Sequence, residues 1–413
     1  MNVQRKKVFL GRQPIVDRRK KIYGYELLFR ATDTFFADIN NVSFAVTSVI
    51  SNVLTTFSIN EVLGKHKGFI NVSADLLESD VLEILPAERV VIELLETIEP
   101  RLAVIRRCRE LKELGFKLAL DDNQYHVDFE PLYGIVDVVK IDILQTPPAV
   151  VRKMVTLLKN RGLILLAEKV ETSEQYKECF DLGFHLFQGY FFARPSVLKT
   201  RGVDPVSTDL LKLLKLVCAD AEVKEIEDIF KHNPNLTYNL LRLVNSVVIG
   251  LRERIRTLRH ALVVLGMRQL KRWIQLSLFA SEKVGGEGNP LLETAATRGR
   301  LMEILVRSLP EEIKGADYAG EAFMTGVLSL IDVLLDLPME EIIVQLNLTS
   351  DVRRALLRRE GYLGGLLRLT ESLERLDFQD VVRLLDESGC SMDLLMKAQV
   401  EAFEWVNSVS DVV

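Results

Sequence analysis

Two adjacent carboxylates, Asp121 and Asp122, follow directly after the short apolar run at residues 117–120. A run of this length after the turn signal Gly115 is typical of a buried β-strand. Because a buried charge needs a partner, two acids at the end of such a strand are hard to explain by packing alone. A metal ion or a basic side chain would supply that partner, whereas a helix N-cap beside a solvated turn is the plainer alternative.

Polar residues recur at the same place along the chain, where one apolar run after another ends. They are Glu26, Asn71, Glu93, Asp121, Asp122, Lys140, Glu168 and Gln188. Hydrophobic runs are not otherwise interrupted so consistently, so we expect these side chains to converge on one functional site.

The side chains in this set indicate the chemistry of the site. Oxygen donors without Cys or His suit hard cations such as Mg²⁺ or Mn²⁺. A cluster of this size could hold two ions, which together can activate a water and stabilise the leaving oxygen of a phosphodiester. Lys140 could neutralise charge or orient the nucleophile. The structural alternative is an ion pair of Lys140 with Asp142 or Glu168.

The elements that must position these residues alternate between short apolar runs and longer amphipathic stretches from about residue 8 to residue 195. Helical patterns cover residues 101–114, 149–160 and 173–182, each followed by a glycine suited to a helix C-cap. Alternating strand and helix favours a parallel α/β sheet. About eight such units favour a closed, TIM-like (β/α) barrel, in which chemistry lies at the C-terminal ends of the strands.

From about residue 200 onward, strand-like runs give way to helical periodicity. The helical stretches are residues 209–218, 236–248, 259–278, 301–309 and 321–334. This half is therefore expected to be an all-helical domain. We place a barrel domain at residues 1–200 and a helical domain at residues 201–413, with the link near residues 199–207.

Composition limits the function classes. A length of 413 residues suits two domains, and a formal net charge of −5 gives no global attraction to nucleic acid. No apolar run is long enough for a membrane helix, and the basic start lacks the apolar core of a secretory signal. The cysteines form no C-x-x-C pair, which argues against a zinc site or a disulfide framework and suits a reducing cytoplasm. They are Cys108, Cys179, Cys218 and Cys390.

The motifs of the first half resemble the EAL domain, the cyclic di-GMP phosphodiesterase fold. The resemblance lies in Q-P-I at residues 13–15, E-x-L-x-R at 26–30, N-x-S at 71–73, E-L-L-E at 93–96, D-D at 121–122, K-I-D at 140–142, A-E-K-V-E-T at 167–172 and Q-G-Y at 188–190. It covers about the first two hundred residues.

This resemblance implies roles for single residues. Metal would be held by Glu26, Asn71, Glu93, Asp121 and Asp122. Water and the metal ligands would be positioned by Lys140, Glu168 and Gln188, with help from Glu171. The dinucleotide would contact Gln13, Arg30 and Asp122. Glu96 would anchor the loop after its own motif. The cofactor would be Mg²⁺ or Mn²⁺, and a homodimer is also implied.

Two departures from the EAL pattern affect these expectations. The segment at residues 123–128 replaces a Phe-Gly followed by small, Gly-rich residues, and in the family this loop links metal binding to the dimer contact. Lys169 replaces a glycine beside Glu168. Its ammonium either occupies a metal position electrostatically or points away as a solvated lysine.

The second half resembles an HDOD domain, a helical relative of HD-type phosphohydrolases. Residues 233–237, 240–246 and 255–266 carry the likeness. Ser329 and Leu330 stand where HD enzymes have their metal-binding His-Asp pair, so a His-based metal site is not expected. His260 is expected to pack between helices. The resemblance thus implies a non-catalytic module that contacts a protein partner.

These expectations combine into a cytoplasmic signal-transduction regulator without membrane or direct nucleic-acid binding. Its divergent EAL domain would bind cyclic di-GMP or a partner and relay that state through the HDOD domain. The alternative is an active, Mg²⁺- or Mn²⁺-dependent phosphodiesterase that opens cyclic di-GMP to linear pGpG.

Overall fold

The computed structural model describes residues 8–31, 59–121, 125–189, 205–244, 258–279, 290–308, 318–335, 337–346 and 348–410. The chain divides into two compact units. One unit comprises Met1–Pro195 with Leu373–Gln379, and the other comprises Ser196–Ser372 with Asp380–Val413. The domain boundary expected after residue 200 falls outside the described residues and stays a prediction.

The N-terminal unit contains a closed barrel whose strands pair in chain order, so the predicted barrel is confirmed. The strands are β1 (Val8–Asp17), β2 (Ile22–Ala31), β3 (Lys67–Val72), β4 (Val90–Leu94), β5 (Lys117–Leu120), β6 (Val138–Asp142), β7 (Ile164–Glu168) and β8 (Leu186–Gln188).

Strand β1 departs from the expected parallel sheet, because it runs antiparallel to both of its neighbours, β2 and β8. The turn between β1 and β2 is too short to connect two parallel strands. The carboxylate of Asp17 accepts the backbone N–H groups of Arg19 at 2.8 Å and Lys21 at 2.9 Å. Parallel neighbours would need a crossover of about a dozen residues or more.

Helices and 3₁₀ turns connect the remaining strands. The helices are α1 (Ile59–Leu63), α2 (Ala74–Leu77), α3 (Leu102–Glu113), α4 (Glu130–Tyr133), α5 (Pro148–Leu158) and α6 (Ser173–Leu182), with 3₁₀ turns at Asp80–Ile84, Val127–Phe129 and Lys159–Arg161. Helix α6 begins with a capping box between Thr172 and Gln175 and ends at Gly183, whose φ is +107°. The predicted start and stop of this helix are therefore confirmed.

Apolar side chains fill the barrel interior in a single buried cluster. Its members are Ile15, Phe69, Val91, Ala119, Val138, Leu166 and Leu186. They come from β1 and from each of β3 to β8, so nearly every strand contributes one side chain to this layer. The barrel is thus a packed core with space for chemistry only at its ends.

The C-terminal unit is helical, as predicted, and its described residues contain no strand. Its helices are α7 (Pro205–Cys218), α8 (Val223–His232), α9 (Pro234–Val244), α10 (Leu258–Phe279), α11 (Pro290–Arg307), α12 (Tyr318–Leu328), α13 (Ile331–Leu335), α14 (Met339–Gln345), α15 (Ser350–Arg358), α16 (Gly361–Glu374), α17 (Phe378–Ser388) and α18 (Met392–Ser410). In the part of the chain that the structure describes, no helix has the length and apolarity needed to cross a bilayer.

The prediction that His260 packs between helices is wrong, because its side chain is exposed. Helix α10 begins at Leu258, so His260 lies in its first turn, and the next two residues, Ala261 and Leu262, are buried instead. The buried residues Ala261, Leu262 and Leu265 define the inward face of α10 by their spacing, and His260 lies off that face.

Helices α11 and α12 cross at two glycines. A Cβ atom added to Gly326 would lie 2.5 Å from the backbone N of Gly299, and one added to Gly299 would lie 2.9 Å from the carbonyl O of Phe323. The two backbones are therefore in direct contact, and neither position has room for a side chain.

We expect Gly326→Ala to destabilise the helical unit by about 2 kcal/mol or more, because a methyl group must push two backbones apart. Gly365→Ala is the matched control. A Cβ at Gly365 in α16 meets nothing within 4 Å, so alanine there should be neutral or stabilise by up to about 1 kcal/mol. Both tryptophans, Trp273 and Trp405, lie in this unit, so urea unfolding followed by tryptophan fluorescence measures the effect. Equal unfolding midpoints for Gly326→Ala and wild type would contradict the packing argument.

His66 lies just before β3, with its ring edge-on to that of Tyr25 at a centroid distance of 5.6 Å. Burial, together with the positive charges of Arg12 and Lys65, lowers the pKa of His66 to about 4. In the unfolded chain the pKa returns to the ordinary value of 6.5. The unfolded state therefore binds the extra proton between these two values, and acidification through this window favours unfolding.

We expect the free energy of unfolding to fall by about 1 kcal/mol more in wild type than in His66→Gln as the pH drops from about 7 to about 4.5. Urea unfolding followed by circular dichroism at both pH values measures the difference. The lost Tyr25 contact affects the variant equally at both pH values, so it cancels. Parallel pH dependences in the two proteins would show that His66 carries no such linkage.

Candidate functional site

Strand geometry directs the predicted polar residues to one place. Six of the eight lie two positions after a member of the apolar cluster, as Glu93 follows Val91 and Lys140 follows Val138. Because side chains alternate between the two faces of a strand, residues two apart point the same way. The same spacing holds for Asn71, Asp121, Glu168 and Gln188. These residues therefore form a polar layer directly above the packed core, at the C-terminal ends of the parallel strands.

A buried lysine occupies the centre of this layer. The Nζ atom of Lys140 lies 2.7 Å from a carboxylate oxygen of Asp121 and 2.9 Å from oxygens of both Glu93 and Glu168. A carboxylate oxygen of Glu26 lies 3.4 Å from the same Nζ. Four carboxylates thus surround one ammonium group, and full ionisation would leave three uncompensated negative charges.

The protonation of the cluster reflects this imbalance. Burial raises the pKa of Glu93 well above its ordinary value, and burial raises the pKa of Glu168 to about 8 despite the nearby Lys140. Burial opposes the charge of Lys140, yet Glu168 and the other carboxylates hold its pKa well above the ordinary value. Without a further cation, the cluster therefore retains protons that a metal ion would displace.

Two amide side chains fix the orientation of Glu26. The Nδ2 atom of Asn71 donates to Glu26 Oε1 at 2.7 Å, and the Nε2 atom of Gln188 donates to Glu26 Oε2 at 2.6 Å. The same Nε2 atom donates to Gln13 Oε1 at 2.8 Å. Since both amides use their nitrogen atoms on Glu26, their oxygen atoms point elsewhere.

Several of the oxygen atoms in this layer are buried without a hydrogen-bond partner. They are Oδ1 of Asn71, Oε2 of Glu93, Oε2 of Glu168 and Oε1 of Gln188. The remaining oxygen of Glu93 also lacks a hydrogen bond, although it lies at ion-pair distance from Lys140. Leaving a buried acceptor unsatisfied costs about 1–3 kcal/mol. A hard divalent cation would satisfy such oxygens, so the donor set fits a metal of this class.

The arrangement is nevertheless closed around the lysine. Among the described residues, no group of three or more His, Cys, Asp and Glu side chains is arranged to hold a metal ion. Lys140 takes the central position, and Asp122, one of the expected ligands, lies outside the described residues. Metal binding by this layer would therefore require its carboxylates to turn away from the ammonium.

Two other residues expected at the site, Glu96 and Glu171, do not join this layer. The side chains of Glu96 and Glu171 are exposed. The backbone of Arg30 belongs to β2, but its side chain lies outside the described residues. The roles predicted for these residues and for Asp122 stay predictions.

Lys169 points away from the four carboxylates around Lys140, as the second of its two expected arrangements has it, and its side chain is 45% exposed. Its ammonium contacts the buried carboxylate of Asp142 and is not placed among the four carboxylates around Lys140. Asp142 in turn accepts the backbone N–H groups of Leu144 at 2.8 Å and Gln145 at 2.9 Å, which fixes the turn after β6. The φ of Lys169 is +57°, a left-handed conformation that glycine adopts without strain.

The structure also shows which acid pairs with Lys140, for which Asp142 and Glu168 were the two possible partners. Lys140 pairs with Glu168, as that alternative allows, whereas Asp142 pairs with Lys169. Asp142 was not among the residues predicted to form the site. Its spacing of two residues from Lys140 on the same strand was the signal that could have found it.

The comparisons with known proteins agree with this architecture. A family model described as the EAL domain matches residues 1–195, and one described as the HDOD domain matches residues 205–350. The uncharacterized protein YuxH of Bacillus subtilis is 31% identical over 415 residues, covering 98% of this chain and 99% of its own length. The cyclic di-GMP phosphodiesterase CdgJ of Vibrio cholerae is 30% identical over 409 residues, covering 98% of this chain and 94% of its own length. This chain therefore belongs to the family of proteins that join an EAL domain to an HDOD domain.

Solved structures resemble the barrel half. An EAL domain protein from Listeria monocytogenes is 25% identical, covers 46% of this chain and 88% of its own, and has a TM-score of 0.37. A standalone EAL protein from Vibrio cholerae O395, solved with cyclic di-GMP bound, is 21% identical, covers 46% of this chain and 92% of its own, and has a TM-score of 0.36.

We expect Lys169→Gly to tighten binding of Mn²⁺ by up to about tenfold, because it removes a positive charge beside the carboxylates. Glycine also suits the left-handed backbone, so the variant should fold. Lys169→Arg is the control, since it keeps the charge and the backbone strain. Isothermal titration calorimetry measures both affinities. If Lys169→Gly binds Mn²⁺ no better than Lys169→Arg, the ion pair with Asp142 only fixes the turn.

Proposed function

We propose that this chain is a signalling protein whose barrel binds cyclic di-GMP through a divalent cation at the barrel mouth. The bound state is passed through the non-catalytic HDOD domain to a protein partner. The observation that carries this proposal is the set of unpartnered buried oxygen atoms around Lys140. A divalent cation would satisfy those atoms, and a bound cation would in turn attract a phosphodiester.

Mg²⁺ or Mn²⁺ is the cation of this proposal, because the donors are carboxylate and amide oxygens. The ligands would be Glu26, Asn71, Glu93, Asp121 and Asp122. When bound, the cation would polarise the phosphodiester and activate a water. Lys140 would offset part of the remaining negative charge of the cluster, which would otherwise repel a phosphate.

Residues beside the acidic layer would hold the dinucleotide. The amide of Gln13 lies within hydrogen-bond distance of Gln188, so it borders the mouth directly. Arg30 would supply a guanidinium for bidentate contact with a phosphate. These two side chains would orient the ligand, while the acidic layer would bind its phosphates through the cation.

Hydrolysis to linear pGpG is the second candidate function. Glu168 favours it, because a carboxylate whose pKa is about 8 beside Lys140 can exchange a proton near neutral pH. The full-length relative CdgJ, described as a cyclic di-GMP phosphodiesterase, points the same way. The closed arrangement around Lys140 and the Lys169–Asp142 pair favour binding without rapid turnover.

The helical half supports a relay role. Ser329, which stands in place of the HD histidine, is buried and accepts a hydrogen bond from Nη1 of Arg298 at 2.8 Å. Leu330, in place of the HD aspartate, is fully buried. A fixed guanidinium and an apolar side chain leave no metal ligands at these positions, so contact with a protein partner is the function we assign.

Two further parts of the proposal come from the family resemblance. We assign the protein to the cytoplasm, where its cysteines, all of which are free, would stay reduced. We also assign it a homodimeric state, because the family links the segment after Asp121 and Asp122 to a dimer contact.

The test uses the full chain, cyclic di-GMP and Mg²⁺ or Mn²⁺, with binding measured by calorimetry and product measured by chromatography. We expect Glu93→Gln to weaken cation-dependent binding at least about tenfold, because it removes a buried ligand charge. Glutamine mimics the protonated form that burial already favours at Glu93, so the fold should survive. Glu113→Gln, at an exposed position in α3, is the control and should bind as wild type does.

The outcomes separate the two functions. Binding without linear product supports the regulator. Turnover that disappears in Glu93→Gln supports the phosphodiesterase instead. The absence of any cation-dependent binding would refute the proposal that the barrel mouth is a dinucleotide site.

A further inference from the structure

The segment after Asp121 and Asp122 lacks the glycines of the EAL pattern, and aromatic contacts hold its described part instead. The ring of Tyr125 stacks on that of Tyr133 in α4, with a centroid distance of 5.4 Å and an interplanar angle of 3°. Tyr133 is itself buried. A hydrogen bond from the backbone of His126 also reaches the hydroxyl of Tyr133. Two consecutive residues of this segment are therefore anchored on one buried side chain.

The hydroxyl of Tyr125 provides a further contact. It donates to the carboxylate of Glu130, which also accepts two N–H groups of Arg161 at 2.7 and 3.1 Å. Arg161 ends the 3₁₀ turn that precedes β7, and its guanidinium lies 5.8 Å from the centre of the Tyr133 ring. The hydrogen bonds from Arg161 and Tyr125 hold the pKa of Glu130 below its ordinary value, so this carboxylate is ionised at neutral pH. We call these four residues, Tyr125, Glu130, Tyr133 and Arg161, the tyrosine latch.

The geometry of the tyrosine latch matters more than its charge. The side chains of Arg161 and Glu130 are 34% and 35% exposed, so solvent weakens their mutual attraction. The planar guanidinium nevertheless contacts both oxygens of Glu130 and thereby orients the carboxylate that Tyr125 reaches. Ring stacking on Tyr133 and the hydroxyl bond to Glu130 then restrict Tyr125 from two directions. The latch thus connects the segment after β5 to α4 and to the turn before β7.

The backbone is also fixed where β5 ends. The backbone N–H of Asp121 donates to the carbonyl of Leu94 in β4 at 3.0 Å, and a carboxylate oxygen of Asp121 lies 2.7 Å from Nζ of Lys140. Tyr125 follows Asp121 by four positions. The chain is therefore held at Asp121 and held again at Tyr125.

We propose that the tyrosine latch positions the acidic end of β5 for the proposed cation, which makes Tyr125 a positioning residue that does not contact the ion. This inference rests on the proposed function, in which Asp121 is a cation ligand. A ligand whose backbone is already fixed loses less conformational freedom when an ion binds, so the affinity for the ion is higher. In the EAL pattern a glycine-rich segment occupies this place, whereas this chain uses side-chain contacts.

The first experiment measures hydrogen–deuterium exchange of the full chain in EDTA, so it needs no bound cation. We expect Tyr125→Ala to speed exchange at residues 125–133 about tenfold, because both contacts of this side chain are lost. Tyr125→Phe keeps the ring stack and loses only the hydroxyl bond, so we expect an increase of about threefold.

Tyr176→Phe in α6 is the matched control. It also loses one hydroxyl bond, to the carbonyl of Arg18 at 3.2 Å. Arg18 follows β1 at the end of the barrel where β8 begins, away from the acidic layer. Exchange at residues 125–133 should therefore be the same in Tyr176→Phe as in wild type.

The second experiment measures the affinity of the same four proteins for Mn²⁺ alone by isothermal titration calorimetry. We expect Tyr125→Ala to weaken binding about fivefold and Tyr125→Phe to weaken it about twofold, because the backbone after Asp121 is less fixed. Tyr176→Phe should bind Mn²⁺ as wild type does, even where its urea unfolding midpoint is lower. This comparison separates positioning of the cation ligands from a general loss of stability.

Exchange at residues 125–133 that is equal in the Tyr125 variants and wild type overturns the tyrosine latch. Faster exchange with an unchanged Mn²⁺ affinity, or an equal loss of affinity in Tyr176→Phe, overturns the positioning role and leaves the proposed function intact. A wild-type chain that binds no Mn²⁺ refutes the proposed function and the positioning role together. Circular dichroism establishes that each variant is folded, and Tyr125→Phe alone decides the outcome where Tyr125→Ala does not fold.

Discussion

The barrel mouth depends on one electrostatic constraint, a single buried ammonium surrounded by four carboxylates. Lys140 makes it possible to bury Glu93 and Glu168 at all, because either acid alone would be strongly disfavoured in a closed interior. One positive charge is not enough for all four, so the layer keeps protons and unpartnered oxygens. This shortfall of positive charge makes the layer receptive to a cation, and the lysine keeps it folded when no cation is present.

The rest of the barrel maintains this arrangement through strand alternation. The apolar cluster and the polar layer occupy successive inward positions of the same strands, so packing of Val91 and Val138 also aims Glu93 and Lys140. Asn71 and Gln188 then hold Glu26 from two sides. A substitution that displaces the apolar layer would therefore also displace the carboxylates of the polar layer above it.

Sequence reasoning found the polar layer because the period of a strand is regular. Acids such as Glu93 and Glu168 end apolar runs, and a period of two then fixes their common face. The antiparallel direction of β1 was not predicted, because Gly11 and Pro14 interrupt the pattern of this strand. The contact of Lys169 with Asp142 was not predicted either, because no sequence pattern indicates a left-handed φ at a lysine. His260 was predicted wrongly for another reason, since it lies off the apolar face of α10 that Ala261, Leu262 and Leu265 define.

The way β1 closes the barrel has a consequence for synthesis on the ribosome. Its residues Ile15 to Asp17 pair with β8, which lies about 170 positions later in the chain. Until β8 leaves the exit tunnel, both β7 and the outer side of β1 present unpaired backbone edges of the kind that join other chains. The nascent barrel is therefore open to misassembly for nearly its whole translation, and chaperone protection matters most just before β8 emerges.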